Sequence, residues 1–130
     1  IRPCDYLANK LLDHVFKTAS YSQPTNIYIA LSDVTIVDGT TGTTISEPGA
    51  NYARKGHNTY DAAAVGHSQN TGAITFVTAD ASWGTITDIA LVDSLTLGNI
   101  LCYNALDTAK AIGSGDTAQF DEGALDFTMD

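Results

Sequence analysis

The sequence predicts a mainly β fold, an antiparallel β-sandwich of jelly-roll type with one N-terminal α-helix. Three observations point to it. Short runs rich in β-branched and aromatic residues recur through most of the chain, clusters of Gly, Asn, Asp, Ser or Pro divide them, and helical spacing of apolar residues is confined to the opening segment. With 130 residues, 44% apolar and only 16% charged, the composition is globular, and the expectation is one domain over 1–130.

The helix is expected over 3–19, "PCDYLANKLLDHVFKTA". Leu7, Leu11 and Val15 repeat every fourth residue and Ala8, Leu12 and Phe16 widen the stripe, with Asn9, Lys10, Asp13 and Lys17 on the other side. Pro3 suits a first helical turn, Asp5 the positive helix end, and Asp13 stands four residues before Lys17. A charge at Leu11 is therefore expected to abolish soluble folding.

The β-sandwich is expected over 26–130, after a polar stretch containing Pro24. Its clearest strands are "IYIALS", "AITFV", "GTITDIALVD", "NILCYNAL" and "ALDFTMD". "IALV" at 89–92 is apolar on both faces and reads as a central strand with the helix over it. In the last run Leu125, Phe127 and Met129 alternate with Asp126, Thr128 and Asp130, the pattern of a half-buried strand. The Thr- and Gly-rich segment 33–49 is too long for a tight hairpin and reads as a long loop at one end of the sandwich.

Charge excludes several function classes. The net charge is −9, and residues 56–130 hold ten acids against the single base Lys110. Such a surface repels phosphate, so no nucleic-acid partner is expected. No stretch approaches the eighteen or so apolar residues of a membrane span, and no signal segment is evident, so the expectation is a soluble protein without a membrane partner. Cys4 and Cys102 form no ligand spacing and read as two buried thiols.

Catalytic and metal motifs fail one by one. His14, His57 and His67 have no H-E-x-x-H pattern and no carboxylate at a ligand spacing, and "GSGD" at 113–116 lacks the following helix of a nucleophile elbow and reads as a turn. "DGTTG" at 38–42 offers one charged oxygen ligand, Asp38, and reads as a turn rather than a calcium loop. Asp88 and Asp93 lie five apart in a strand, on opposite faces, so they form no acid–base pair. No catalytic residue, no cofactor and no metal are expected. A carbohydrate-binding module would need exposed aromatic platforms, and Trp83 in "ASWGTI" reads as a core residue at a strand start.

"EPGANYARKG" at 47–56 gathers a proline, two glycines, a tyrosine and two of the chain's six cations. Arg54, Tyr52, Lys55 and Asp38 are the candidate protein-contact residues.

The order of "YLANKLLDHVFKTASY", "PTNIYIALS", "EPGANYAR", "AITFVTADASWGTITDIALVDS", "GNILCYNAL" and "GDTAQFDEGALDFTMD" resembles a family of small virion proteins of tailed bacteriophages and prophages. Its members are commonly labelled tail fibre proteins, and some such small phage proteins are capsid cement or decoration proteins. The resemblance implies a non-enzymatic structural protein of the virion, assembled in the host bacterial cytoplasm. It also implies that Pro48 and Gly49 end the long loop in a turn anchored by Tyr52, with Arg54 reaching a carboxylate within the domain or on a neighbouring subunit. It does not specify a place in the virion; a small domain with one amphipathic helix and acids concentrated in its second half suits a lattice, so the first expectation is a capsid cement or decoration protein that binds the major capsid protein or other virion proteins as a homo-oligomer. The alternative is a tail-fibre or baseplate component. The segment 55–70 departs from the alternating strand expected after "YAR".

Overall fold

A computed structural model describes residues 1–129. The fold is mainly β, with antiparallel pairing throughout and one helix near the N-terminus. Its main sheet has five strands, β1 (Arg2–Pro3), β2 (Tyr28–Ser32), β3 (Lys55–Gly56), β6 (Gly84–Val92) and β7 (Ile100–Ile112), in the order β1-β7-β6-β2-β3. Two short ladders make the facing layer. One pairs β4 (His67–Gln69) with β9 (Asp126–Thr128), the other β5 (Ile74–Thr75) with β8 (Gln119–Phe120).

β6 is the middle strand of the sheet, where the doubly apolar "IALV" belongs. Alternation sends Ile89 and Leu91 to one face with Ile29, Leu31, Ile74, Phe76, Trp83 and Leu125, forming the larger core against the two ladders. Ala90 and Val92 go to the other face, where Cys4, Ile36, Ile45 and Ile100 cover them and Tyr6 and Leu7 of the helix pack alongside. Cys4 and Cys102 are both buried and free.

The helix, α1, spans Asp5–Phe16 and not 3–19. Pro3 belongs instead to the edge strand β1 opposite Cys102, a place where its missing N–H costs nothing. At the other end Thr18 takes a left-handed backbone (φ 55°) that halts the helix. None of its residues is buried. Leu7 and Leu11 are half-buried, whereas Leu12, Val15 and Phe16 are 54%, 66% and 77% exposed. The apolar stripe is therefore not a buried face of this domain, because the helix touches the sheet by its first two turns and then runs past it.

β7 is longer than "NILCYNAL" and continues through "DTAKAI". Leu101 is the extra residue of a bulge between the pairs Leu91↔Cys102 and Val92↔Ile100. A second, larger irregularity separates Ile86↔Lys110 from Asp88↔Ala105, and it twists the outer half of β7 where β1 no longer pairs with it. A bulge plus Lys110 blunts that free edge against strand addition. The last run is a strand only over 126–128; Met129 is 59% exposed, and Asp130 lies outside the described residues.

Segment 55–70, unassigned by alternation, opens with β3 at 55–56 and then folds back on itself as a hairpin, with Tyr60 opposite Asn70 and Ala64 opposite His67. Ala64 and His67 exchange both backbone hydrogen bonds at 2.9 Å, and Val65 and Gly66 form the tip with φ of 54° and 74°. These are the signs of a type I′ turn, which needs positive φ at both central residues.

Candidate functional site

The long loop and the turn between β6 and β7 meet at one end of the fold, and Arg54 joins them. No strand occurs from 33 to 54, yet this arm is ordered. Ile36 and Ile45 bury their side chains beneath it, the Asp33 N–H donates to the Ser46 carbonyl at 3.2 Å, and the Ile36 N–H donates to Asp88 Oδ2 at 3.3 Å. Gly42 donates its N–H to the Gly98 carbonyl at 3.1 Å, and a Cβ at 42 would overlap the Leu97 carbonyl oxygen, so only glycine permits this approach.

Arg54 is only 6% exposed. Its Nε and Nη2 donate to Glu47 Oε1 and Oε2, both at 2.9 Å. Nη1 donates to the carbonyls of Ser94 and Leu97, both at 2.8 Å, and Nη2 also donates to the Gly42 carbonyl at 2.9 Å. Every N–H of the guanidinium is therefore used. The middle of the arm at Gly42, its Glu47 carboxylate and the β6–β7 turn close around one cation.

Tyr52 completes the anchor. Its hydroxyl donates to Glu47 Oε1 at 2.7 Å and accepts from the Leu31 N–H at 2.9 Å. Its ring meets Trp83 edge-on at 5.4 Å and lies parallel to Phe76 at 6.4 Å. Burial, reinforced by the neighbouring Glu47 carboxylate, pushes the phenol well above its ordinary range, so it remains a donor. Asn51 holds the adjoining backbone: its amide donates to the Thr78 carbonyl at 2.7 Å, and its Oδ1 accepts from the Asp80 N–H and from Trp83 Nε1. Trp83 is a buried core residue, 3% exposed.

The four candidate contact residues do not form one surface. Arg54 and Tyr52 point inward together and fix the shape of the arm. Lys55, one position on, sits in the edge strand β3 opposite Ile29 and is exposed. Asp38 lies elsewhere, where its Oδ1 accepts from the Asp5 N–H at 3.3 Å in a polar cleft of about 400 Å³ with Arg2 and Tyr103. On the outside of the Arg54 anchor, Leu95 and Leu97 are 51% and 61% exposed beside a second cleft of about 400 Å³ lined also by Ile45, Pro48 and Tyr52.

Residues tested for chemistry are engaged in structure. Asp93 accepts from the Asn99 N–H at 2.8 Å, Asp88 is buried beneath the arm, and His14 Nδ1 accepts from the Tyr21 N–H at 3.1 Å. His67 pairs with Asp126 at 3.3 Å on the surface. Among the described residues no group of three His, Cys, Asp or Glu could hold a metal ion, and no helix is long and apolar enough to cross a membrane.

Two polar residues escaped sequence reasoning. Glu47 lies seven residues before Arg54 and Asp61 seven after it, so spacing alone leaves two candidates; Glu47 is the one that shares the turn-rich "EPGANYAR" with the arginine. Asn70 carries no such signal. It is fully buried, donates to the Gly72 and Asp121 carbonyls at 2.9 and 3.1 Å, and accepts from the Leu125 N–H at 2.9 Å.

Residues 3–128 match the family model described as podophage GP4 fiber I protein gp80. The match spans the helix, both core layers and the Arg54 anchor, and the chain belongs to this family. A comparison with curated proteins returns no match.

Proposed function

We propose that the chain is a non-enzymatic structural component of a podophage virion, acting in the fibre as a compact adaptor or attachment module. The family match over residues 3–128 carries this reading, because it takes in the helix, both core layers and the Arg54 anchor. The fold supports a building block in a second way. Its buried polar side chains, Arg54, Asn70, Asp88 and Ser32, all bond to main chain, so they maintain shape. The rigid arm with Leu95, Leu97 and Pro48 beside its cleft is the surface offered to neighbouring virion proteins.

The fibre is preferred to the capsid surface because the family's description names a fiber protein. Immunogold labelling of intact particles with an antibody to this chain tests the choice. Gold at the tail or its fibres is the expected result. Gold scattered over the head would overturn it and restore the cement reading.

A further inference from the structure

We propose that the cleft between the outer half of β7 and the stretch 116–120 binds a small amphipathic monocarboxylate, its apolar body on the core and its carboxylate on Lys110. The inference concerns the purified chain and stands independently of where the protein sits in the virion.

The cleft exists because a hairpin is splayed. β7 ends at Ile112, the turn at 113–116 reverses the chain, and β8 then pairs with β5 instead of with β7. The two arms leave about 670 Å³ between them, lined on the apolar side by Leu31, Ile86, Leu106, Ile112 and Phe120. Small-molecule sites are clefts of this size, mostly apolar, with a few polar groups that fix orientation.

Register decides which polar groups meet the ligand. Lys110 stands opposite Ile86, a residue of the larger core, and cross-strand partners share a face, so the lysine is sent to the inner side. Thr108, two residues earlier, lines the cleft with it. Among the described residues neither side chain has a hydrogen bond or an ion pair. The facing wall is already satisfied within the chain. Thr117 Oγ1 lies 2.6 Å from Thr78 Oγ1, Gln119 accepts from Thr75 and donates to Asp121, and Asp116 Oδ2 accepts from the Gly113 N–H. An ammonium and a hydroxyl remain for a ligand, and that pair selects an anion.

Charge narrows the class further. Lys110 is the one base of residues 56–130, and it sits at this cleft. Asp107 and Asp116 line the cleft as well, in a chain of net charge −9, so a dianion such as a phosphate monoester is repelled and a monoanion is matched. One exposed ammonium holds a bare carboxylate weakly, so most of the affinity comes from burying an apolar body against the floor.

An NMR titration of the isotope-labelled chain with decanoate tests the proposal. Saturable shifts confined to 106–112 and 117–120, with a dissociation constant below about 1 mM, are the expected result. Decanol, equal in chain length but uncharged, is expected to bind about threefold to tenfold more weakly. Lys110→Met is expected to weaken decanoate by about the same factor, leave decanol unchanged and melt as the parent does, because the lysine has no partner to lose. Lys110→Arg should retain most of the decanoate affinity, and Lys55→Met, in the edge strand β3, all of it. No saturation by about 10 mM decanoate overturns the proposal. So do shifts centred on Leu12, Val15 and Phe16, decanol binding as tightly as decanoate, or a Lys110→Met chain that binds decanoate as its parent does.

Discussion

Arg54 and Glu47 face each other in a two-point pair, Nε to Oε1 and Nη2 to Oε2 at 2.9 Å, with the guanidinium almost wholly out of solvent and its remaining N–H groups on three carbonyls. Removing the arginine would leave a partly buried carboxylate and the Gly42, Ser94 and Leu97 carbonyls without their donor. Arg54→Ala is therefore expected to lower stability by about 3–5 kcal/mol in urea denaturation. Arg54→Lys should recover little of it, because a single ammonium cannot reproduce the planar fork. A loss below about 1 kcal/mol in Arg54→Ala would mean that the arm is held by Ile36 and Ile45 alone.

The helix divides into a packed and an unpacked part, and the same charge should act differently in each. Leu7 packs against both cores, so Leu7→Asp is expected to cost about 2–4 kcal/mol or prevent folding. Leu12→Asp, at a residue 54% exposed, should change stability by less than about 0.5 kcal/mol. Equal melting shifts for the two variants would contradict the placement of α1.

The contrast marks what the sequence could and could not reveal. Periodicity in 3–19 identified a helix and its apolar stripe correctly, but it measures amphipathicity and is silent about what covers the stripe. β6 was legible because nine residues with four consecutive apolar positions fit only a strand buried on both faces. β5 and β9 lie within the runs "AITFV" and "ALDFTMD" that read as strands, but their partners β8 and β4 are two and three residues long, too short for alternation to register. At the Arg54 anchor the basic, turn-rich "EPGANYAR" drew attention to the right place. Its carbonyl partners in the β6–β7 turn, forty or more residues away, carry no side-chain signature at all.

Asn70 is the residue most undervalued by its sequence context. Its amide bridges β4, the Asp121 turn and the start of the last strand, and its backbone also bonds the Leu125 and Gly123 groups. Asn70→Leu, which has the same number of side-chain heavy atoms but no polar ones, strands those main-chain groups and is expected to cost about 2–4 kcal/mol. Differential scanning calorimetry should show a clear drop in Tm, and an unchanged Tm would mean that water replaces the amide.

Alkaline pH should weaken the fold before neutral or mildly acidic pH does. Burial pushes the Cys102 thiol up from 9.0 to about 12 and the Tyr60 phenol up from 10.0 to about 12. Both groups are neutral in the folded state at pH values where the unfolded chain ionises. Their contribution is thus fully present below pH 9 and is lost as pH rises from about 9 to 12. The urea midpoint is expected to fall steadily across that window, and Cys102→Ala to flatten the lower part of the fall. A midpoint level to pH 11 would show that neither group is desolvated as described.

The hairpin tip at Val65 and Gly66 sets backbone against side chain. Val65 is β-branched, 97% exposed and held at φ 54°, a conformation in which its Cβ crowds the following carbonyl. Nothing packs on the side chain to repay that strain, and Asn-Gly is the pair that this two-residue turn favours. Val65→Asn is therefore expected to stabilise the chain by about 1 kcal/mol, raising Tm by roughly 3–6 °C for a chain of this size. Because the side chain touches nothing in its own chain, oligomeric state should not change in the variant. A lower Tm would instead show that the tip is kept in place by a contact that valine makes and asparagine cannot.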